Sequence, residues 1–151
     1  MVVGAPFDDD VIVRPECNRY ESCTNTGSAY VFTRDADNKW TQSQSKLLAP
    51  DGDWRDNFGK SVAIDKDTIV VGVMWDDWGP YDSSDMGTAH VFVRTGNSWK
   101  HQARLTNPHP YRYHEFGTSV DVSGDTVIVG EPHASWSKTR AVSYCLCCFF
   151  S

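Results

Sequence analysis

The sequence predicts an all-β fold, a partial β-propeller of four-stranded antiparallel blades about two and a half repeats long. Three observations predict it. The chain aligns with itself at an interval near 58 residues. Its strand-like segments contain continuous β-branched runs. No stretch shows helical periodicity of useful length.

The repeat comes first. Phe58-Gly59 and Phe116-Gly117 each open an F-G-x-S-V pattern, at an offset of 58. The same offset carries DTIVVG (67–72) onto DTVIVG (125–130), and Leu47 and Pro50 onto Leu105 and Pro108. An offset of 60 carries GSAYVFTR (27–34) onto GTAHVFVR (87–94), with Trp40 and Trp99 following at nearly that interval. VVGAPFDD (2–9) matches VVGVMWDD (70–77) at an offset of 68. Segments that recur in one order define a repeat unit.

Each unit reads as four short strands. SVAID (61–65) meets TIVVGV (68–73) across a tight turn at Lys66-Asp67; Ser123-Gly124 is expected to make the same turn in the next copy. After a polar loop comes TAHVFVR (88–94). Gly96-Asn97 then turns the chain into SWKHQARL (98–105), as Ala36 to Asn38 does before Trp40. A sheet with one wet face alternates apolar and polar residues, whereas TIVV and VIV are unbroken. These strands are therefore expected to be covered on both faces, as in blades stacked face to face.

The frame divides accordingly. Residues 1–57 read as a partial blade supplying second, third and fourth strands, with a long loop at 7–26. Residues 58–115 read as a complete blade, and 116–136 as the start of another, about nine strands in all. Residues 137–151 read as an aberrant Cys-rich tail, either a degraded third strand or a mistranslated end. Propellers close with roughly 4–8 blades, so the chain is expected to be a piece of a longer propeller or to close by self-association.

Composition narrows the function. The formal net charge of −6 argues against nucleic acid and against a polybasic membrane patch. No apolar run reaches the length of a membrane span. The first residues have neither a basic region nor a sustained hydrophobic stretch, and do not read as a signal peptide. The five cysteines fall unevenly; Cys17 and Cys23 form a candidate disulfide across the long loop, with two free thiols as the alternative.

The F-G of Phe58-Gly59 and Phe116-Gly117, with V-V-G-A-P and G-S-A-Y-V-F, resembles the FG-GAP repeat of the integrin α-subunit propeller and many extracellular proteins. The likeness covers residues 1 to about 136. It implies that the F-G pairs open the innermost strand and that Gly4-Ala5-Pro6, Gly72 and Gly130 end the second. Only the first copy spells G-A-P; the others read Gly72-Val73-Met74 and Gly130-Glu131-Pro132. These are expected to be fold residues: Gly permits close backbone approach, Pro ends pairing, and Phe fills the space between blades. The calcium loop common after the F-G strand in integrin-type repeats has no room in two-residue turns, because Ca²⁺ takes 6–8 oxygens. The resemblance carries no calcium site over.

Other chemistry is sparse. Asp8, Asp9 and Asp10 follow the second strand of one copy, and Asp76 and Asp77 that of the next, with Asp82 and Asp85 beyond. They are candidate metal ligands with Ca²⁺ as the fitting cation, as are Asp51, Asp53 and Asp56 before Phe58. Against this, Asp is common in solvated turns, and the third copy reads His133-Ala134-Ser135. No cofactor is firmly implied. His109 and His114 are expected to be solvated loop residues. The first loop exceeds the second by about eight residues, and its Arg14, Arg19, Tyr20 and Glu21 are candidate partner contacts or an inert insertion. G-x-S-x-G is absent and no catalytic residue is identified. The tryptophans read as packing. The expectation is a non-catalytic extracellular or cell-surface module recognising a protein or glycan; the alternatives are an accessory propeller of a secreted enzyme, or a fragment without function.

Overall fold

A computed structural model describes residues 1–9, 24–43, 46–77, 85–109 and 111–133 in full, and the backbone of 143–148. The described strands form three antiparallel sheets. The first holds β1 (Val2–Ala5), β2 (Ser28–Arg34) and β3 (Trp40–Gln42). The second, a complete blade, runs in order through β4 (Phe58–Asp65), β5 (Thr68–Val73), β6 (Thr88–Thr95) and β7 (Ser98–Leu105). The third holds β8 (Ser119–Ser123), β9 (Thr126–Glu131) and β10 (Ser143–Cys148). No helix occurs among the described residues.

Of the two readings of residues 137–151, the structure agrees with the degraded third strand: β10 pairs antiparallel with β9 from Ser143↔Glu131 to Cys148↔Thr126. Among the described residues the frame is thus three, four and three strands. One turn is corrected. The β8–β9 turn is Gly124-Asp125, since Ser123 still pairs with Thr126. It matches Lys66-Asp67, where Asp65 pairs with Thr68.

The backbone repeats more faithfully than the side chains. Residues of positive φ fall into pairs at the repeat interval: Asn25 with Asp85, Gly27 with Gly87, Asn38 with Gly96 and Arg55 with Tyr113. Asn57 with Glu115, Gly59 with Gly117 and Lys66 with Gly124 complete the set. Left-handed backbone is costly for side chains other than Gly and, less so, Asn or Asp. Its recurrence at Arg, Tyr, Glu and Lys shows that loop geometry is imposed by the stack.

The sheets pack face to face, and β5 is covered on both sides as its unbroken apolar run predicts. Ile69, Val71 and Val73 join Phe58 and Phe92 against Ala29, Val31 and Leu47 of the first blade. Val70, on the other face, joins Phe116, Val127 and Val129 of the third. Phe58 and Phe116 are fully buried between blades, each burial stabilising by about 2–3 kcal/mol.

The glycines of the two motifs meet. A Cβ on Gly4 would lie 2.0 Å from the carbonyl oxygen of Gly59, and one on Gly72 would lie 2.0 Å from that of Gly117. Gly59, at φ 93°, is pressed in turn against the Ser28 carbonyl, and Gly117, at φ 91°, against that of Thr88. Hydrogen bonds fix the register alongside. The Phe58 N–H donates to Thr26 O (3.0 Å) and the Phe116 N–H to Met86 O (2.9 Å), while the Ser61 hydroxyl donates to Gly117 O at 2.8 Å.

Gly72→Ala is expected to cost about 3 kcal/mol or more, because the new Cβ would lie 2.0 Å from the backbone carbonyl oxygen of Gly117 in the next blade and 2.3 Å from Ser61 Oγ. Gly96→Ala, where φ is 62° but nothing lies within 4 Å, is expected to cost about 1 kcal/mol. Urea denaturation of the two variants checks this; equal losses would refute the close-approach argument.

Candidate functional site

The strand ends Ala5, Gln42, Val73 and Leu105, and the described residues that follow them, lie at one end of the blades, opposite the short hairpins. Here the acidic residues take on repeat-related jobs. The Asp8 Oδ2 accepts from the hydroxyls of Ser28 and Tyr30, both at 2.7 Å, and from Lys46 Nζ at 3.1 Å. At the equivalent place Asp76 accepts from the Thr88 hydroxyl at 2.6 Å, and its Oδ1 and Oδ2 both accept from Arg104 Nη2, at 2.9 and 2.8 Å. Ser28/Thr88 and Tyr30/His90 are repeat mates on the third strand, and Lys46/Arg104 are mates near the end of the fourth. One carboxylate thus ties three strands' worth of chain together in each of these two blades.

The second acid of each pair closes the loop. Asp9 Oδ1 accepts the Asn25 N–H at 2.9 Å, and Asp77 Oδ1 accepts the Asp85 N–H at 2.6 Å. Beside them Gly27 N–H donates to Asp8 O and Gly87 N–H to Asp76 O, at 3.0 and 3.1 Å. Each loop therefore has a neck of fixed geometry, whatever length of chain lies beyond it. That length is 15 residues between Asp9 and Asn25, and seven between Asp77 and Asp85.

Electrostatics follow from these contacts. Hydrogen bonds from Tyr30 and Ser28, with Lys46 adding its charge, hold Asp8 down at about 2. Burial pushes Asp76 up, against the pull of Thr88 and Arg104. Arg104 also meets Asp51 Oδ2 at 2.9 Å. Asp56 is buried, and no ion pair reaches it among the described residues; desolvation first, and then the charge of Asp76, raise its carboxyl to about 8. It accepts the Asp53 N–H. Asp85 is raised by burial, then by Asp77 and Glu115.

His90, where the first blade has Tyr30, is fully buried. Its Nδ1 lies 3.0 Å from His101 Nε2, and its ring packs edge-on against Phe58 at 5.8 Å. Burial, opposed by Asp51, holds His90 down at about 4, so that it is neutral at physiological pH. In the third blade Glu131 is buried at the place of Ala5 and Val73, and accepts from Asn107 Nδ2 (2.6 Å) while lying 3.0 Å from His114 Nδ1. His114 is thereby corrected from a solvated loop residue to a buried one, 6% exposed. His109 remains outside, its N–H donating to Asn107 Oδ1.

Of the candidate metal ligands, Asp8, Asp9, Asp76 and Asp77 are engaged as described, and a cation at either clamp would have to displace Lys46 or Arg104. Among the described residues no group of three or more His, Cys, Asp or Glu is arranged to hold a metal ion. Asp10, Asp82, Cys17 and Cys23, with Arg14, Arg19, Tyr20 and Glu21, lie outside the described residues. The motif residues Gly4, Ala5, Pro6, Phe58, Gly59, Gly72, Phe116, Gly117 and Gly130 stand at strand ends and blade interfaces. The partners Ser28/Thr88 and Lys46/Arg104 escaped the sequence reading, although the offsets of 60 and 58 already paired them. The tryptophan expectation is also corrected: Trp40 and Trp54 are 49% and 51% exposed, Trp54 lying under the Arg55 guanidinium at 4.2 Å.

A family model described as FG-GAP repeat matches residues 40–92 and 99–142. The search of curated proteins returned no match.

Asp56 binds its proton more tightly folded, at about 8, than unfolded, at about 3.8. Its contribution to stability is thus full below pH 3.8 and is lost as the pH rises toward 8. Asp56→Asn keeps an acceptor for Asp53 but cannot ionise. The variant is expected to overtake the wild type in stability as pH rises from 5 to 8, by on the order of a few kcal/mol. Parallel pH profiles in urea denaturation would refute the assignment.

Proposed function

Since the chain belongs to the FG-GAP repeat family, we propose that it is a non-catalytic propeller-type binding module, acting outside the cell or at its surface in recognition or adhesion of a protein or glycan. The observation that carries this reading is the pair of necks. Asp8-Asp9 and Asp76-Asp77 close loops of different length with the same hydrogen bonds, so loop content varies without disturbing the stack. That is the arrangement a recognition surface needs: variable chain on a rigid support. The perturbed groups Asp56, Asp76 and His90 are buried in contacts that hold strands together, which suits structural roles. No helix of the described residues is long and apolar enough to cross a membrane. Ca²⁺ held by Asp10 or Asp82 within the loops, and a Cys17–Cys23 bridge, would stiffen the same surface.

The module also calls for further blades, from a longer chain or a second copy. Ile128 stands where the second blade has Val70, yet it is 39% exposed while Val70 is fully buried. Gly130 and Ser119 occupy the positions of Gly72 and Ser61, which receive the next F-G strand.

Replacing 10–23 by the shorter segment 78–84 is expected to leave the melting temperature within a few degrees and abolish capture of immobilised cell-surface glycoproteins. Unchanged capture would refute the loop reading. Sedimentation of the chain is expected to show concentration-dependent association, which Ile128→Arg reduces; a monomer before and after the substitution would overturn the open-face argument.

A further inference from the structure

At the hairpin end, opposite the loops, a cleft of about 330 Å³ opens between the first and second blades. That volume is at the small end of the range for ligand pockets. Its walls combine three cations, Arg34, Lys66 and Arg94, with two indoles, Trp40 and Trp99. No carboxylate is among the described residues lining it, in a chain of net charge −6. Asp67 reaches Arg94 only at 3.9 Å, with the side chains 69% and 42% exposed, a geometry that neutralises little.

The two indoles are repeat mates with different surroundings. Trp99 packs against the core between the blades. Trp40 sits on β3, whose three residues are all exposed, and leaves about half its surface in water. The Arg34 guanidinium, held by Asn38, lies 6.0 Å from its ring centre. Packing accounts for Trp99 and only in part for Trp40, because an indole half in water forfeits about half of its burial energy. Lys66, exposed at the tip of the β4–β5 turn, is also part of the cleft's lining.

We infer that this cleft binds an acidic glycan, a sugar chain bearing carboxylate or sulfate groups. The inference rests on the binding-module reading and names a ligand class for it. A planar indole offers the flat apolar platform that the C–H face of a sugar ring covers. Guanidinium forks grip planar or tetrahedral oxyanions through paired N–H groups, and Lys66 adds a point charge. The polar groups of Ser43 and Asn97, also in the lining, suit ring hydroxyls. An acidic peptide would satisfy the cations and leave the exposed indole without a role.

The test is surface plasmon resonance of the full chain against a sulfated, uronate-containing octasaccharide. The expected result is saturable binding that weakens at least tenfold between low salt and about 0.3 M salt, as a charge-driven contact must. Trp40→Ala is expected to weaken it about tenfold with the melting temperature unchanged, Trp40→Tyr to restore most of it, and Arg94→Ala to weaken it at least fivefold. A poly-glutamate peptide of equal charge is expected not to compete. Absence of saturable binding, indifference to Trp40→Ala, or equal competition by poly-glutamate, which would mark an acidic protein as the partner, each overturns the inference. The loop-shortened chain separates the two readings. It should keep the octasaccharide while losing glycoprotein capture; loop-dependent capture without octasaccharide binding would sink this inference alone.

Discussion

The contact on which this structure depends is between two backbones. Gly4 lies against Gly59 and Gly72 against Gly117 so closely that no side chain fits between them. Once the glycines touch, the neighbouring groups have little freedom. The Phe N–H reaches the preceding blade's carbonyl, and the Phe ring enters the space between sheets. In the second interface the Ser61 hydroxyl finds Gly117 O. The apolar residues of β5 supply much of the energy of stacking, since burial scales with area and not with direction. The glycines supply the alignment, because a hard backbone contact tolerates no slip.

A second constraint acts at the loop end. A carboxylate taken wholly or partly out of water is costly unless hydrogen-bonded or paired, and here the cost is offset in a repeated way, at a buried Asp76 and a half-buried Asp8. Asp8 and Asp76 each gather a hydroxyl and a cation from strands that are distant in sequence. Asp9 and Asp77 hold the left-handed residue that leads back into the sheet. Asp56 is the exception; burial and its acidic neighbours favour its neutral form. The third blade solves the same packing problem differently, with Glu131 buried between His114 and Asn107.

The two ends of the stack therefore differ in character. The loop end concentrates carboxylates in closed necks beneath variable chain. The hairpin end holds a cleft lined by cations and indoles. Matching the clamp residues by repeat position shows that substitution follows geometry: Ser28 becomes Thr88 and Lys46 becomes Arg104, with the hydrogen-bonding role retained. Trp40 and Trp99 keep their residue type and part in environment, one half in water and one against the core.

The sequence by itself determined the blade. Offsets near 58 placed β5 to β7 within a residue, though β4 starts at Phe58, three residues before the SVAID segment, and the unbroken TIVV run called for cover on both faces, which Ile69 to Val73 receive. Local pattern is enough for this, because strand pairing within a blade joins neighbours in sequence. Even β10 was audible in the apolar stretch near the end, though the decayed motif hid its role. The site was legible only in part. Asp8-Asp9 and Asp76-Asp77 were conspicuous as acids, but a row of carboxylates reads alike whether it awaits a cation or accepts hydrogen bonds. Which it does depends on Tyr30, Lys46, Thr88 and Arg104, which lie 12 to 38 residues away and meet the acids only after the strands pair. The burial of His90 and His114, the exposure of Trp40 and the cleft between blades are likewise decisions of the tertiary structure. They depend on what the neighbouring sheet places opposite each residue, and a repeat read along one chain fixes the register of strands but not the contents of the space between them.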